Sequence, residues 1–190
     1  GIRDLVRARG RGDGYKRQID GQGSWGLRSS NNVETYNSGR INMSGNKSYG
    51  MKIEKGTVEN HGDITTADAE SFGIWVNNVD SLTNSGTVTV NGADSVGIYT
   101  GGSSEATNSG TINVNGDGGK GINTAGSSSF VNNGTINING KNGYGIYAEG
   151  TSKVTNSGDI YLNATTATKT SSALYAGGSA CLLYTSDAAD

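Results

Sequence analysis

Residues 108–116 read Asn108-Ser109-Gly110-Thr111-Ile112-Asn113-Val114-Asn115-Gly116, and versions of this phrase return at 37–45, 60–68, 84–92, 132–140 and 156–164. The leading asparagines, Asn37, Asn60, Asn84, Asn108, Asn132 and Asn156, are spaced once by 23 residues and thereafter by 24. Within each phrase apolar residues alternate with polar ones, as in Ile112-Asn113-Val114, Ile136-Asn137-Ile138 and Ile160-Tyr161-Leu162. A period of two is that of a strand with one buried face. A second phrase, Gly-Ile-Tyr or similar, begins thirteen residues after the asparagine at Gly50, Gly73, Gly97, Gly121 and Gly145, with an earlier copy at Gly26-Leu27. It sets Ile74, Val76, Ile98, Ile122 and Ile146 facing one way, and a third apolar site stands two before each asparagine at Val58, Leu82, Ala106, Phe130 and Val154. The last repeat carries a four-residue insertion, so that Ala173-Leu174-Tyr175 falls seventeen after Asn156. A fixed period of this length marks a solenoid, and three short strands per period make one turn of a β-helix.

The expected fold is therefore all-β: a right-handed parallel β-helix, or β-solenoid, of about six coils of ~24 residues with three short strands per coil. Gly39, Gly62, Gly86, Gly110, Gly134 and Gly158 lie two after the repeat asparagines, at expected corners where a positive φ would favour glycine. Coils stacked at about 4.8 Å would let the six asparagine side chains form a hydrogen-bonded ladder. Composition agrees. The 190 residues hold 32 Gly, no Pro, one Cys and one His, with 32% hydrophobic content. High Gly and Asn weigh against helix, and no apolar stripe at helical spacing is present. No run approaches the roughly 18 apolar residues of a membrane-spanning helix, and one cysteine builds neither a disulfide framework nor a multi-thiolate zinc site.

The two ends stand apart. Residues 1–18 carry six of the 15 basic residues and two of the 17 acids, and the ten residues Cys181 to Asp190 carry the only cysteine. Both ends resemble translated sequencing adapters, the closest stretches being Gly1 to Asp4, Tyr15-Lys16-Arg17-Gln18 and Cys181 to Asp190. Segments 1–18 and 181–190 are accordingly expected to be artefactual, the first of them unstructured, and 19–180 to be the β-helix. On that division the Arg11-Gly12-Asp13 tripeptide and the basic cluster Arg7 to Arg17 carry no function. The middle segment has nine basic and 13 acidic residues, a net charge of −4, and no cysteine.

The repeat resembles the passenger region of Gram-negative autotransporters (type V secretion), especially the large surface adhesins of the fusobacterial type. The resemblance rests on Asn84-Ser85-Gly86-Thr87-Val88, Asn108-Ser109-Gly110-Thr111-Ile112 and Gly145-Ile146-Tyr147-Ala148, and it extends over residues 20–180. It implies a secreted, cell-surface virulence or adhesion protein, extracellular and anchored through an outer-membrane barrel.

A catalytic site on a β-helix needs carboxylates gathered on neighbouring coils. Asp63 and Asp159 share a column but are four coils apart, about 19 Å. Glu34, Glu59 and Asp80 fall at outer or corner positions as solvated charges, and His61 reads as a lone imidazole replacing a corner serine. Asn115-Gly116-Asp117-Gly118-Gly119 resembles part of a calcium-binding nonapeptide, without its nine-residue repetition, and reads as a turn. No catalytic residue, cofactor or metal ligand is expected. The candidate ligand-facing aromatics are Trp75, Tyr99, Tyr147 and Tyr175, which follow the inward Ile or Leu and form one outward column interrupted by Lys52 and Asn123. Lys120 takes the place held elsewhere by Trp25, Tyr49, Phe72 and Tyr144 and reads as a corner. The expected function is stalk and adhesive surface without catalysis, with a host-surface protein or glycan and the neighbouring coils of a longer chain as partners, and with no nucleic acid and no direct membrane insertion. Two alternatives remain at this point: a fragment of a secreted β-helical polysaccharide lyase or hydrolase, and a fragment of a two-partner-secreted hemagglutinin-like exoprotein.

Overall fold

The computed structural model describes residues 16–164 and 171–185, and these contain strands and turns with no helix. The chain winds through three parallel sheets of seven strands each, every sheet taking each third strand in order. The first coil is β1 (Lys16–Asp20), β2 (Trp25–Ser29) and β3 (Val33–Asn37), and the seventh ends in β21 (Cys181–Tyr184). Sheets 1, 2 and 3 are named here for β1, β2 and β3. The molecule is a parallel β-solenoid of about seven turns rather than six, some 29 Å from first rung to last at the usual strand spacing.

The extra turn comes from the ends. Lys16, Arg17 and Gln18 pair with Arg40, Ile41 and Asn42, and Cys181 to Tyr184 pair with Lys153 to Asn156. Ordered strand thus extends past both boundaries expected from the repeat, because an open parallel edge pairs through backbone groups that any non-proline residue supplies. Arg11-Gly12-Asp13 and the rest of 1–15, the stretch 165–170 that holds the four-residue insertion, and 186–190 lie outside the described residues.

The core is one unbroken column. Ile64, Val88, Ile112 and Ile136 of sheet 1, Ile74, Ile98, Ile122 and Ile146 of sheet 2, and Val58, Leu82, Phe130 and Val154 of sheet 3 are buried. Each coil contributes apolar side chains to the next, so burial is shared along the rod and no coil has a core of its own. Among the described residues, the eight exposed large apolar side chains lie in the first coil (Trp25, Val33, Tyr36) or in the last (Tyr161, Leu162, Tyr175, Leu183, Tyr184), where no further described coil covers them.

The corners differ from the sequence reading in one respect. Positive φ does not fall on Gly39, Gly62, Gly86, Gly110, Gly134 or Gly158. It falls on two other columns, Gly23, Lys47, Glu70, Asp94, Gly118 and Asn142, and Asn78, Gly102, Gly126, Gly150 and Gly178, and in the first coils also on Gly21, Gly45 and Gly56. The glycine after each repeat asparagine is required by proximity instead. A Cβ on Gly62, Gly86, Gly110, Gly134 or Gly158 would overlap the carbonyl oxygen of the matching glycine one coil earlier.

Candidate functional site

The repeat asparagines end the strands of sheet 3, where the chain turns into sheet 1, and are buried from Asn37 to Asn156. Asn37 Nδ2 donates to Asn60 Oδ1 at 2.6 Å, and the same bond at 2.7 Å links Asn60 to Asn84, Asn84 to Asn108, Asn108 to Asn132 and Asn132 to Asn156. The second amide hydrogen goes to the carbonyl two residues on, as from Asn108 to Gly110 at 3.3 Å and from Asn156 to Gly158 at 2.8 Å. From Asn37 to Asn132 each buried amide therefore has donors and acceptor paired, which permits a polar column inside an apolar rod. The sequence reading missed a second ladder on the exposed corner of sheet 1. There Asn163 donates to Asn139 at 2.9 Å, Asn139 to Asn115 at 2.7 Å and Asn115 to Asn91 at 2.7 Å, in the opposite sense along the rod. Its 24-residue spacing was visible, but the stretch Asn115 to Gly119 read only as a turn.

The outer face of sheet 2 carries the aromatic residues. Trp75, Tyr99, Asn123, Tyr147 and Tyr175 occupy one register position in successive coils, with Lys52 before Trp75. A second outward column stands three residues earlier at Trp25, Tyr49, Phe72, Val96, Lys120, Tyr144 and Ser172. Lys120 opens the strand Lys120–Thr124 and is half-buried, so its place is on the sheet face and not at a corner. The two columns interlock. Trp75 stacks on Tyr99 with centroids 5.7 Å apart and planes 7° apart, Tyr147 on Tyr175 at 4.4 Å and 9°, and Tyr49 on Phe72 at 5.1 Å and 4°. Edge contacts join them across the face: Phe72 with Tyr99 at 6.0 Å and Tyr144 with Tyr147 at 5.1 Å. Cations cover further ring faces, with Arg28 over Trp25 at 4.6 Å, Lys52 over Tyr49 at 4.7 Å and Trp75 at 5.2 Å, and Lys120 over Tyr147 at 5.0 Å.

Glu149 borders this ribbon. The Tyr147 hydroxyl donates to Glu149 Oε1 at 3.0 Å, and that bond, with desolvation and the carboxylate charge behind it, pushes the Tyr147 pKa up to about 12. Burial, then the charge of Glu149, also raises Tyr99.

The acids named from sequence are dispersed. Asp63 pairs with Arg40 at 3.3 Å in a shallow depression of sheet 1, lined also by Asn42, Thr65, Thr87 and Thr89. Its column runs Arg40, Asp63, Thr87, Thr111, Thr135, Asp159, so the two aspartates are four rungs apart. Glu34 and Asp80 are exposed. His61 is not isolated. Its Nδ1 lies 2.6 Å from Ser85 Oγ on the next coil, its Nε2 3.2 Å from Glu59 Oε2, and Tyr36 packs on the ring at 5.2 Å. A 24-residue offset brings Ser85 to His61, a pairing the sequence analysis did not draw from the repeat it had found.

A family model described as the BigA third pectate lyase-like domain matches residues 11–127, more than half of the chain, beginning inside the segment 1–18. No curated protein and no solved structure matches the chain. With its three parallel sheets wound about one core, the chain belongs to the family of the BigA third pectate lyase-like domain, a β-helix of an autotransporter-like surface protein.

Proposed function

We propose that the chain is a stalk and adhesive surface of a bacterial cell-surface passenger, without catalysis in this segment. The observation that carries the adhesive part is the aromatic and cationic ribbon on sheet 2, which runs from Trp25 to Tyr175 on an otherwise polar rod. Tyr and Trp give large contact area at low entropic cost, and their hydroxyl and indole groups supply hydrogen bonds at the rim of an interface. The stalk part is supported by the continuous core and the buried asparagine ladder, which bind each coil to its neighbours. Export to the cell surface and anchoring through an outer-membrane barrel follow from the autotransporter resemblance. Export by a separate partner would leave the stalk and ribbon argument unchanged.

The words "pectate lyase-like" in the family description raise an enzymatic alternative. Two arrangements bear on it, and neither favours turnover. Asp63 and Asp159 are about 19 Å apart at strand spacing, beyond the separation of a glycosidase carboxylate pair. Ser85, His61 and Glu59 form a relay, but the backbone N–H groups of Ser85, Gly86, Ser109 and Gly110 are all spent on carbonyls of the preceding coil. They are therefore not available to stabilise an oxyanion.

The test is adhesion of beads coated with the chain to epithelial cells and to immobilised matrix glycoproteins. Retention above uncoated beads is expected, falling several-fold when Trp75, Tyr147 and Tyr175 are all changed to Ala. Absence of retention on every surface would remove the adhesive reading. Release of unsaturated products from polygalacturonate would restore the enzymatic one.

A further inference from the structure

Within the candidate column Trp75, Tyr99, Tyr147 and Tyr175, most ring faces are already occupied. Parallel planes on successive rungs turn the ring faces along the rod. Trp75 is held between Lys52 Nζ at 5.2 Å and Tyr99 at 5.7 Å. Tyr147 is held between Lys120 Nζ at 5.0 Å and Tyr175 at 4.4 Å. Tyr175 lies in the last strand of its sheet among the described residues, and no further described ring stacks on its remaining face. Tyr99 differs. One face stacks on Trp75, and the other looks onto the fifth coil, where Asn123 takes the place of an aromatic residue. Tyr147 follows one rung later, two ladder steps or about 10 Å from Tyr99. The interruption is thus a notch one coil wide, with the Tyr99 ring as one wall, Asn123 as floor and the Lys120 ammonium on the far side.

We propose that this notch binds a single neutral pyranose, stacked on the free face of Tyr99 and hydrogen-bonded by Asn123 and Lys120; the proposal rests on the adhesive reading above and names the ligand class for it. A pyranose has an apolar C–H face and a rim of hydroxyls that both donate and accept. The notch offers the matching pair: one aromatic face, and polar groups around it. Asn123 is half-buried, and its Oδ1 is shielded from solvent without a hydrogen-bond partner, so a turn of the amide toward the notch brings that oxygen a partner it lacks in the ligand-free fold. Lys120 is a long, half-buried side chain able to shift and donate to a hydroxyl. The preference for a neutral sugar follows from charge: Lys120 lies over the Tyr147 ring and the Tyr147 hydroxyl donates to Glu149, so one cation and one anion border the site and leave no net charge to select an anion.

The experiment is saturation-transfer NMR with methyl β-galactopyranoside, methyl β-glucopyranoside and methyl N-acetyl-β-glucosaminide at millimolar concentration, with methyl galacturonide as the acidic probe. Transfer to at least one neutral glycoside is expected. It should survive Tyr99→Phe and fall at least tenfold in Tyr99→Ala. The decisive variant is Asn123→Tyr, which fills the gap with a ring that stacks on its neighbours; it should keep the fold by circular dichroism and abolish binding. Silence with all three neutral glycosides, binding unchanged in Asn123→Tyr, or tighter binding of the galacturonide would each overturn the proposal. Bead adhesion that persists in Asn123→Tyr would overturn the notch as the adhesive contact and leave the adhesive reading standing. Glycoside binding without bead adhesion would do the reverse.

Discussion

Two asparagine columns make different demands on the same side chain. Asn108 is buried and sits between Asn84, which donates to it, and Asn132, to which it donates. Asn108→Ala strands a buried donor on Asn84 and a buried acceptor on Asn132. The expected loss is about 2–4 kcal/mol, since each unsatisfied buried group costs about 1–3 kcal/mol. Asn115 makes a bond of the same 2.7 Å length to Asn91, but on the exposed corner. Water replaces the lost partner there, and Asn115→Ala should cost less than about 1 kcal/mol. Urea unfolding of the two variants measures the difference, and equal losses would refute the assignment of the buried ladder as the structural one.

The strands of sheet 2 couple coils through their outward side chains as well as their backbones. In Tyr144–Ala148 (β17), Tyr147 stacks on the next coil and donates to Glu149 beyond the strand end. Its pKa is raised from 10.0 to about 12, the hydrogen bond to Glu149 being the largest cause. The folded chain thus holds this proton more tightly than the unfolded chain does. The associated stability is complete below pH 10.0 and is lost as the pH climbs towards about 12. Spectrophotometric titration should show Tyr147 ionising late, with Tyr99 also raised, and Glu149→Ala should bring the Tyr147 midpoint down most. An unchanged titration curve in that variant would show that Glu149 does not hold the proton.

The rod as a whole is a stack of equivalent turns, so its stability is a sum of nearest-neighbour terms. A deletion that respects the period preserves every kind of interface. Removing residues 97–120, one 24-residue turn, joins Val96 to Gly121 in the register that Val96 held with Gly97. That variant should remain folded, with β-rich circular dichroism and a cooperative melt only modestly below that of the parent. Removing residues 109–120, half a period, puts strands of different sheets in line and should abolish the cooperative transition. A folded half-period variant would count against the three-sheet register.

The period, the strand alternation and the three inward columns were legible because a solenoid writes each contact into the sequence at a fixed offset. The same arithmetic located Ile112 above Val88 and Asn108 above Asn84. Other features needed the winding itself. Periodicity marked Gly110 as a position requiring glycine but not the reason, since chain-to-chain proximity and positive φ leave the same residue in a sequence. Lys120 read as a corner because a position that holds a cation in one coil cannot be fully buried in every coil; the neighbouring Tyr147 ring that receives it is seen only in the winding. His61 read as lone because its partner Ser85 is on another turn. The count of turns rose from six to seven because the ladder at either end is completed by backbone pairing, which has no side-chain signature. The sequence by itself determined the repeat, the strands and the buried faces, because hydrophobic burial selects side chains locally. Only the tertiary structure decided which ring faces are consumed by stacking and which are left free, because that depends on side-chain directions in successive coils.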